Sequence, residues 1–127
     1  MSRLILVSDV AFLAGSAPGI RQWGNMRVEV HADGHIGLAG TEFLAGAGHL
    51  LDRCIVRFIA ATGASVPETI ALCTTNPARL LGLPESAYSL NEGNPANLVS
   101  FHLPVDSVSI RIEHALLSGE ELVGHGV

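Results

Sequence analysis

Residues 4–10 read LILVSDV: four apolar side chains from Leu4 to Val7, then Ser8, the carboxylate of Asp9, and Val10. A run that is apolar on both faces is the pattern of a buried parallel strand, since a half-solvated strand would alternate. An acid directly after such a strand stands at its C-terminal end, where barrels and open α/β sheets build their sites. The same position also suits an Asp that caps the following turn or binds loop amides. Asp9 is therefore a candidate for chemistry and for turn formation alike. The expected strand is also solitary, because the rest of the chain offers it no parallel neighbour.

Outward from this run, residues 11–25 carry Gly15, Pro18, Gly19 and Gly24 and read as a long loop. MRVEVHADGHIGL (26–38) then alternates, with Val28 and Val30 before Asp33-Gly34 and Ile36 and Leu38 after it. This pattern predicts a β-hairpin closed by an Asp-Gly turn. A small-residue segment, AGTEFLAGAG (39–48), leads into a helix in which Leu50, Leu51, Cys54, Ile55, Phe58 and Ile59 recur at helical spacing. Asp52, Arg53 and Arg57 take its other face, and Gly63 ends it. Ser65-Val-Pro-Glu68 is a capping box that opens a second helix through Ile70 and Leu72. Asn76-Pro77 restarts the chain as a short helix closed by Gly82. Beyond Pro84 the texture becomes β-rich, with strands expected at 97–103, 107–114 and 115–123. The expected division is thus 1–83 and 84–127.

Composition narrows the function classes. The chain has 127 residues, a formal net charge of −5, seven Arg and no Lys. A protein that tracks nucleic-acid phosphates needs a basic face, which is lacking here. Without Lys, a Schiff-base, P-loop or metal-bridging carboxylated lysine is excluded within this chain. Mean hydropathy is positive, +0.40, which implies more apolar surface than so short a chain buries alone and hence a partner. The N-terminal apolar run is far shorter than the ~20 residues of a membrane-spanning helix, and Ser8 and Asp9 break it. Cys54 and Cys73 match no metal or redox spacing, so they read as small hydrophobes in a reduced, cytosolic setting.

The His residues at 31, 35, 49, 102, 114 and 125 are dispersed. His31 and His35 flank the Asp-Gly turn and can face each other across the hairpin, but a metal site needs three or four ligands and no third is evident. His49 starts the long helix, where capping or solvent contact competes with reaching a ligand. His102, His114 and His125 read as surface residues. The glycines of FLAGAG stand where backbone comes close to something, yet they form no nucleotide fingerprint. Ser8, Ser16 and Ser65 lie in no nucleophile-elbow context.

Taken together, LILVSDVAFLAGSAPG, the hairpin running into DGHIGLAGTEFLAGAG, SVPETIALCTTNPARLLGL and NEGNPANLVSF resemble the C-terminal third of the N-acetylglucosamine-6-phosphate deacetylases of the amidohydrolase superfamily. NPARLLGL with a downstream G-x-x-A-[DN]-L-V marks the superfamily, whereas SD before the glycine-rich loop and GT-x-x-LAG narrow it to the deacetylase branch. The resemblance covers essentially the whole chain, but only the end of the family's pattern.

It implies an α/β fold: the C-terminal fragment of a metal-dependent (β/α)8 barrel, LILV being its last strand, plus returning strands of a small β-sandwich. It implies that Asp9 is the catalytic acid/base toward a metal-activated water, and that Leu44, Ala45 and Gly46 border the acetyl group, with Leu44 against its methyl. The family's divalent metal, zinc or iron, is held by a glutamate and two histidines with no counterpart here, so no metal is expected on this chain and, alone, no activity. Where relatives read LAGS, this chain has Leu44-Ala-Gly-Ala47, one hydroxyl fewer. The implied substrate is an amino-sugar phosphate. The expected setting is cytoplasmic, without membrane or nucleic acid, and the expected assembly is a homo-oligomer such as a dimer with an apolar or strand-exchanged interface. A dihydroorotase-like or deaminase-like amidohydrolase and a non-catalytic self-associating module are the alternatives.

Overall fold

The Asp-Gly hairpin forms as its alternation predicts. In the computed structural model, which describes residues 1–103 and 108–122, β2 (Met26–Val30) and β3 (Ile36–Leu38) pair antiparallel with Val28 opposite Leu38 and Val30 opposite Ile36. Two further strands extend the sheet. β1 (Gly19–Trp23) pairs with β2, and β4 (Leu44–Gly46) pairs with β3, giving the order β1-β2-β3-β4. β1 corrects the expectation of a loop over 11–25: Gly15, Pro18 and Gly24 flank the strand, Gly19 opens it, and β2 supplies the hydrogen-bonding edge that local sequence does not reveal. Val28, Val30 and Ile36 are buried on one face of the sheet with Leu13, and Ala11, Trp23, Leu38 and Ala45 pack around them. Phe12 meets Trp23 edge-to-face, with ring centroids 5.0 Å apart. These elements lie in a compact unit of residues 7–54.

A second compact unit comprises residues 1–6 and the chain from Ile55 onward. Its helical part is built from α1 (Leu51–Thr62), whose first turns lie in the first unit, α2 (Val66–Cys73) and α3 (Thr75–Leu80). The capping box is present: the Ser65 hydroxyl accepts from the Glu68 N–H, and the Glu68 carboxylate accepts from the Ser65 N–H at 2.9 Å. The Ser65 hydroxyl also donates to the Glu68 carboxylate at 2.7 Å, and this bond first, then the one from the Ser65 N–H, holds the Glu68 carboxyl below its ordinary range. Gly63 ends α1, its N–H donating to the Ile59 carbonyl at 2.8 Å. Cys54 and Cys73 are both half-buried, and the Cys73 thiol donates to the Thr69 carbonyl at 3.7 Å.

The expected barrel strand at 4–7 is not one. Residues 4–7 belong to no sheet; Leu4 and Val7 are 46% and 66% exposed, and both described sheets are antiparallel. The physical reason is the missing neighbour, because a strand without a partner satisfies neither its backbone nor its side chains. Instead, the Leu6 N–H donates to the Leu72 carbonyl at 3.1 Å, and the buried Asn76 amide donates to the carbonyls of Met1 and Leu4 at 3.0 and 2.7 Å. Asn76 is thus an anchor as well as the start of a helix. Asn76→Ala removes the side-chain donor to both carbonyls, leaving Met1 only its bond from the Leu4 N–H at 3.3 Å, and is expected to cost about 1–3 kcal/mol, read as a lower denaturant midpoint with an unchanged slope.

The β-rich end forms a three-stranded sheet in the order β5-β6-β7, from β5 (Leu98–His102), β6 (Arg111–Leu117) and β7 (Glu120–Glu121). The strand expected at 107–114 in fact runs to Leu117, across the expected break at 114/115, because its pairing with β5 continues from Arg111 to Leu116. Ser107 and Val123, the outer ends of two expected strands, and His125 lie outside the described residues. His102 and His114 are exposed, as expected.

His114 Nδ1 lies 2.6 Å from Glu121 Oε1 across the β6–β7 pair, and this hydrogen bond raises the imidazole above its ordinary 6.5. A raised folded-state value means that the contact's contribution is complete below that ordinary value and is lost as pH rises through the folded one. An NMR titration should place the His114 midpoint above that of free histidine, and Glu121→Gln should return it. A midpoint indifferent to that substitution would rule the contact out.

Candidate functional site

The segments that carry the expected catalytic and acetyl-bordering residues meet at backbone contacts of Ala47. Val10 forms a parallel bridge with Ala47, and the Ala11 N–H donates to the Ala47 carbonyl at 2.8 Å. β4 therefore has β3 on one edge and residues 10–11 on the other, which puts Asp9 one residue before the point where the two candidate segments meet.

The local geometry of each candidate follows from its neighbours. Asp9 is exposed and holds a left-handed backbone, φ +50°, a conformation that Asp tolerates better than most residues. Leu44 is 73% exposed, and Phe43 beside it is equally so. In the β3–β4 pair, Ile36 faces Gly46 and Gly37 faces Leu44, which leaves Ala45 as the extra residue of a bulge. Such a bulge re-aims the side chains around it. The close backbone approach expected of the FLAGAG glycines is present: a Cβ on Gly46 would lie 2.7 Å from Ala11 Cβ, and one on Gly48 only 1.5 Å from the Gly34 carbonyl oxygen.

His31 and His35 do face each other, stacked with centroids 3.8 Å apart. Asp33 accepts from the His35 N–H at 3.1 Å and lies 2.6 Å from His35 Nδ1, and these bonds lower the Asp33 carboxyl, the backbone one most. His49 is half-buried beside Gly34 and lines a shallow cleft of about 200 Å³ with Gly15, Gly48, Asp52 and Arg53. The cleft includes neither Asp9 nor Leu44–Gly46. Among the described residues no three His, Cys, Asp or Glu side chains converge as metal ligands. The donor set present therefore does not fit a divalent ion. Sequence reading missed that Val10 and Ala11, next to Asp9, pair with Ala47; the only signal for it was the density of small residues in 45–48.

No protein-family model matches the chain. Among curated proteins, the N-acetylglucosamine-6-phosphate deacetylase of Rattus norvegicus is 36% identical over 118 residues, which cover 92% of this chain and 27% of that relative. The chain is similar to part of an N-acetylglucosamine-6-phosphate deacetylase. Solved N-acetylglucosamine-6-phosphate deacetylases agree. The enzyme from Thermotoga maritima matches with a TM-score of 0.76 at 26% identity, over 94% of this chain and 31% of that one. A variant from Mycobacterium smegmatis, solved in complex with N-acetyl-D-glucosamine-6-phosphate, matches with a TM-score of 0.70 at 26% identity, over 94% and 30%.

The chain thus spans about a quarter to a third of the three deacetylases just named, consistent with the C-terminal portion that its motifs resemble. These relatives are hydrolases by name. Among the described residues, no helix is long and apolar enough to cross a membrane.

Proposed function

We propose that this chain is the C-terminal part of a deacetylase that removes acetyl from N-acetylglucosamine 6-phosphate, and that Asp9 is its acid/base. The observation that supports this reading is the Val10–Ala47 bridge, which sets Asp9 beside the segment read as bordering the acetyl group. Amide hydrolysis requires a water to lose a proton as it attacks the carbonyl and the departing amine to gain one, and a single carboxylate can do both in turn. Asp9 is exposed and so open to substrate. Leu44, exposed next to Phe43, is the side chain we assign to the acetyl methyl, with Ala45 and Gly46 lining the approach.

We assign no metal ligand to this chain; the family's zinc or iron would be held by residues outside it. Residues 84–127 we read as strands of the small sandwich, and the setting as cytoplasmic. The exposed Phe12 and Phe43 and, in the other unit, Leu80, Leu81 and Leu90 support burial against further protein, in our reading within a homo-oligomer.

The test is acetate release from N-acetylglucosamine 6-phosphate by the natural polypeptide that contains this chain, compared with its Asp9→Asn variant and with the 127-residue chain alone. Activity only in the unsubstituted natural polypeptide is the expected result. Undiminished activity in Asp9→Asn would remove Asp9 from the chemistry, and activity in the short chain would overturn the requirement for residues beyond it.

A further inference from the structure

We propose that the tip of the β2–β3 hairpin, Asp33-Gly34-His35, is a positioning element for the candidate site, holding residues 46–48 in the place that registers Asp9. Its catalytic consequence rests on the deacetylase reading; its mechanical basis does not.

The tip is closed by its own bonds. The Gly34 N–H donates to the His31 carbonyl and the His31 N–H to the His35 carbonyl, both at 2.9 Å. Asp33 receives the His35 N–H and touches the His35 ring, which stacks on His31. From this closed turn the β3–β4 register runs directly to the site. Ile36 faces Gly46, and two residues further along the same register Gly34 abuts Gly48 so closely that no Cβ fits between them. The His49 ring also lies against Gly34, 2.9 Å from where its Cβ would stand.

Between these contacts lies Ala47, the residue that receives the Ala11 N–H and bridges Val10. A shift of the tip therefore moves residues 46–48, and with them the backbone that carries Asp9. Catalysis is sensitive to such shifts, since a misplacement of ~1 Å can cost about 100-fold.

Asp33 is the group to change, because it is exposed and distant in sequence from the assigned residues. Asp33→Ala removes both side-chain contacts that close the tip, while Asp33→Asn keeps an oxygen to receive the His35 N–H. In the natural polypeptide, Asp33→Ala is expected to lower kcat about tenfold with KM changed by less than about twofold, and Asp33→Asn to restore most of the loss. Amide exchange of Ala11 should accelerate about tenfold in Asp33→Ala, while that of Thr69, which donates to Ser65 in α2, stays unchanged. Equal acceleration at both amides would indicate general destabilisation and overturn the proposal, as would an unchanged Ala11. Faster Ala11 exchange with unaltered kcat would overturn the positioning role and leave the deacetylase reading intact. Absence of deacetylation in the unsubstituted protein would sink that reading instead, and selective Ala11 acceleration would still support the mechanical link.

Discussion

Gly48→Ala is expected to lower the melting temperature of the protein by roughly 10 °C, corresponding to about 3 kcal/mol. The added methyl would lie 1.5 Å from the Gly34 carbonyl oxygen, where a carbon normally meets an oxygen no closer than about 3.3 Å. Both groups are tied to backbone, so no rotamer change relieves the clash. Gly34 is held by the turn bond to His31, and Gly48 directly follows the residue bridged to Val10. The hairpin tip must separate from residues 46–48, or the Ala47 contacts must break. Thermal unfolding of the variant beside the unsubstituted protein checks this, and a melting temperature within about 2 °C of the original would show that the close approach is not made in solution.

Asp9→Asn is expected to reduce deacetylation by about 100- to 10,000-fold, the usual contribution of a positioned acid/base. The substitution is informative because of the Asp9 backbone. At φ +50° most side chains are strained, but Asn adopts this conformation as readily as Asp. The variant should therefore keep its melting temperature while losing the proton acceptor, which separates chemistry from folding. Asp9→Ala would change both, and a comparison of the two apportions the effect. A full-length Asp9→Asn protein with unchanged turnover would leave Asp9 as a turn residue, the other role its position suits.

The hairpin, the three helices and the capping box were legible because their signals are local. Val28, Val30 and Ile36 alternate around Asp33-Gly34, Ile55 and its neighbours recur at helical spacing, and Ser65 sits three residues before Glu68. β1 was not legible, since the residues around it are turn formers and its stability comes from pairing with β2. The extent of β6 escaped for the same reason: its end depends on where β5 stops pairing. LILV was misread because an apolar run states that a segment wants burial without saying against what. Only the fold shows that Leu6 bonds to Leu72, that Asn76 holds the segment's start, and that the first sheet-like pairing occurs at Val10.

The candidate site divides along the same line. Residue type and local pattern were enough to single out Asp9 as a carboxylate ending an apolar run and FLAGAG as a place of close backbone approach. The meeting of Val10 and Ala11 with Ala47, the bulge at Ala45 and the contact of Gly34 with Gly48 were decided by tertiary structure alone. Local sequence determines which conformations a few residues favour, but contacts between residues some 35 positions apart exist only once a sheet has set the register between them.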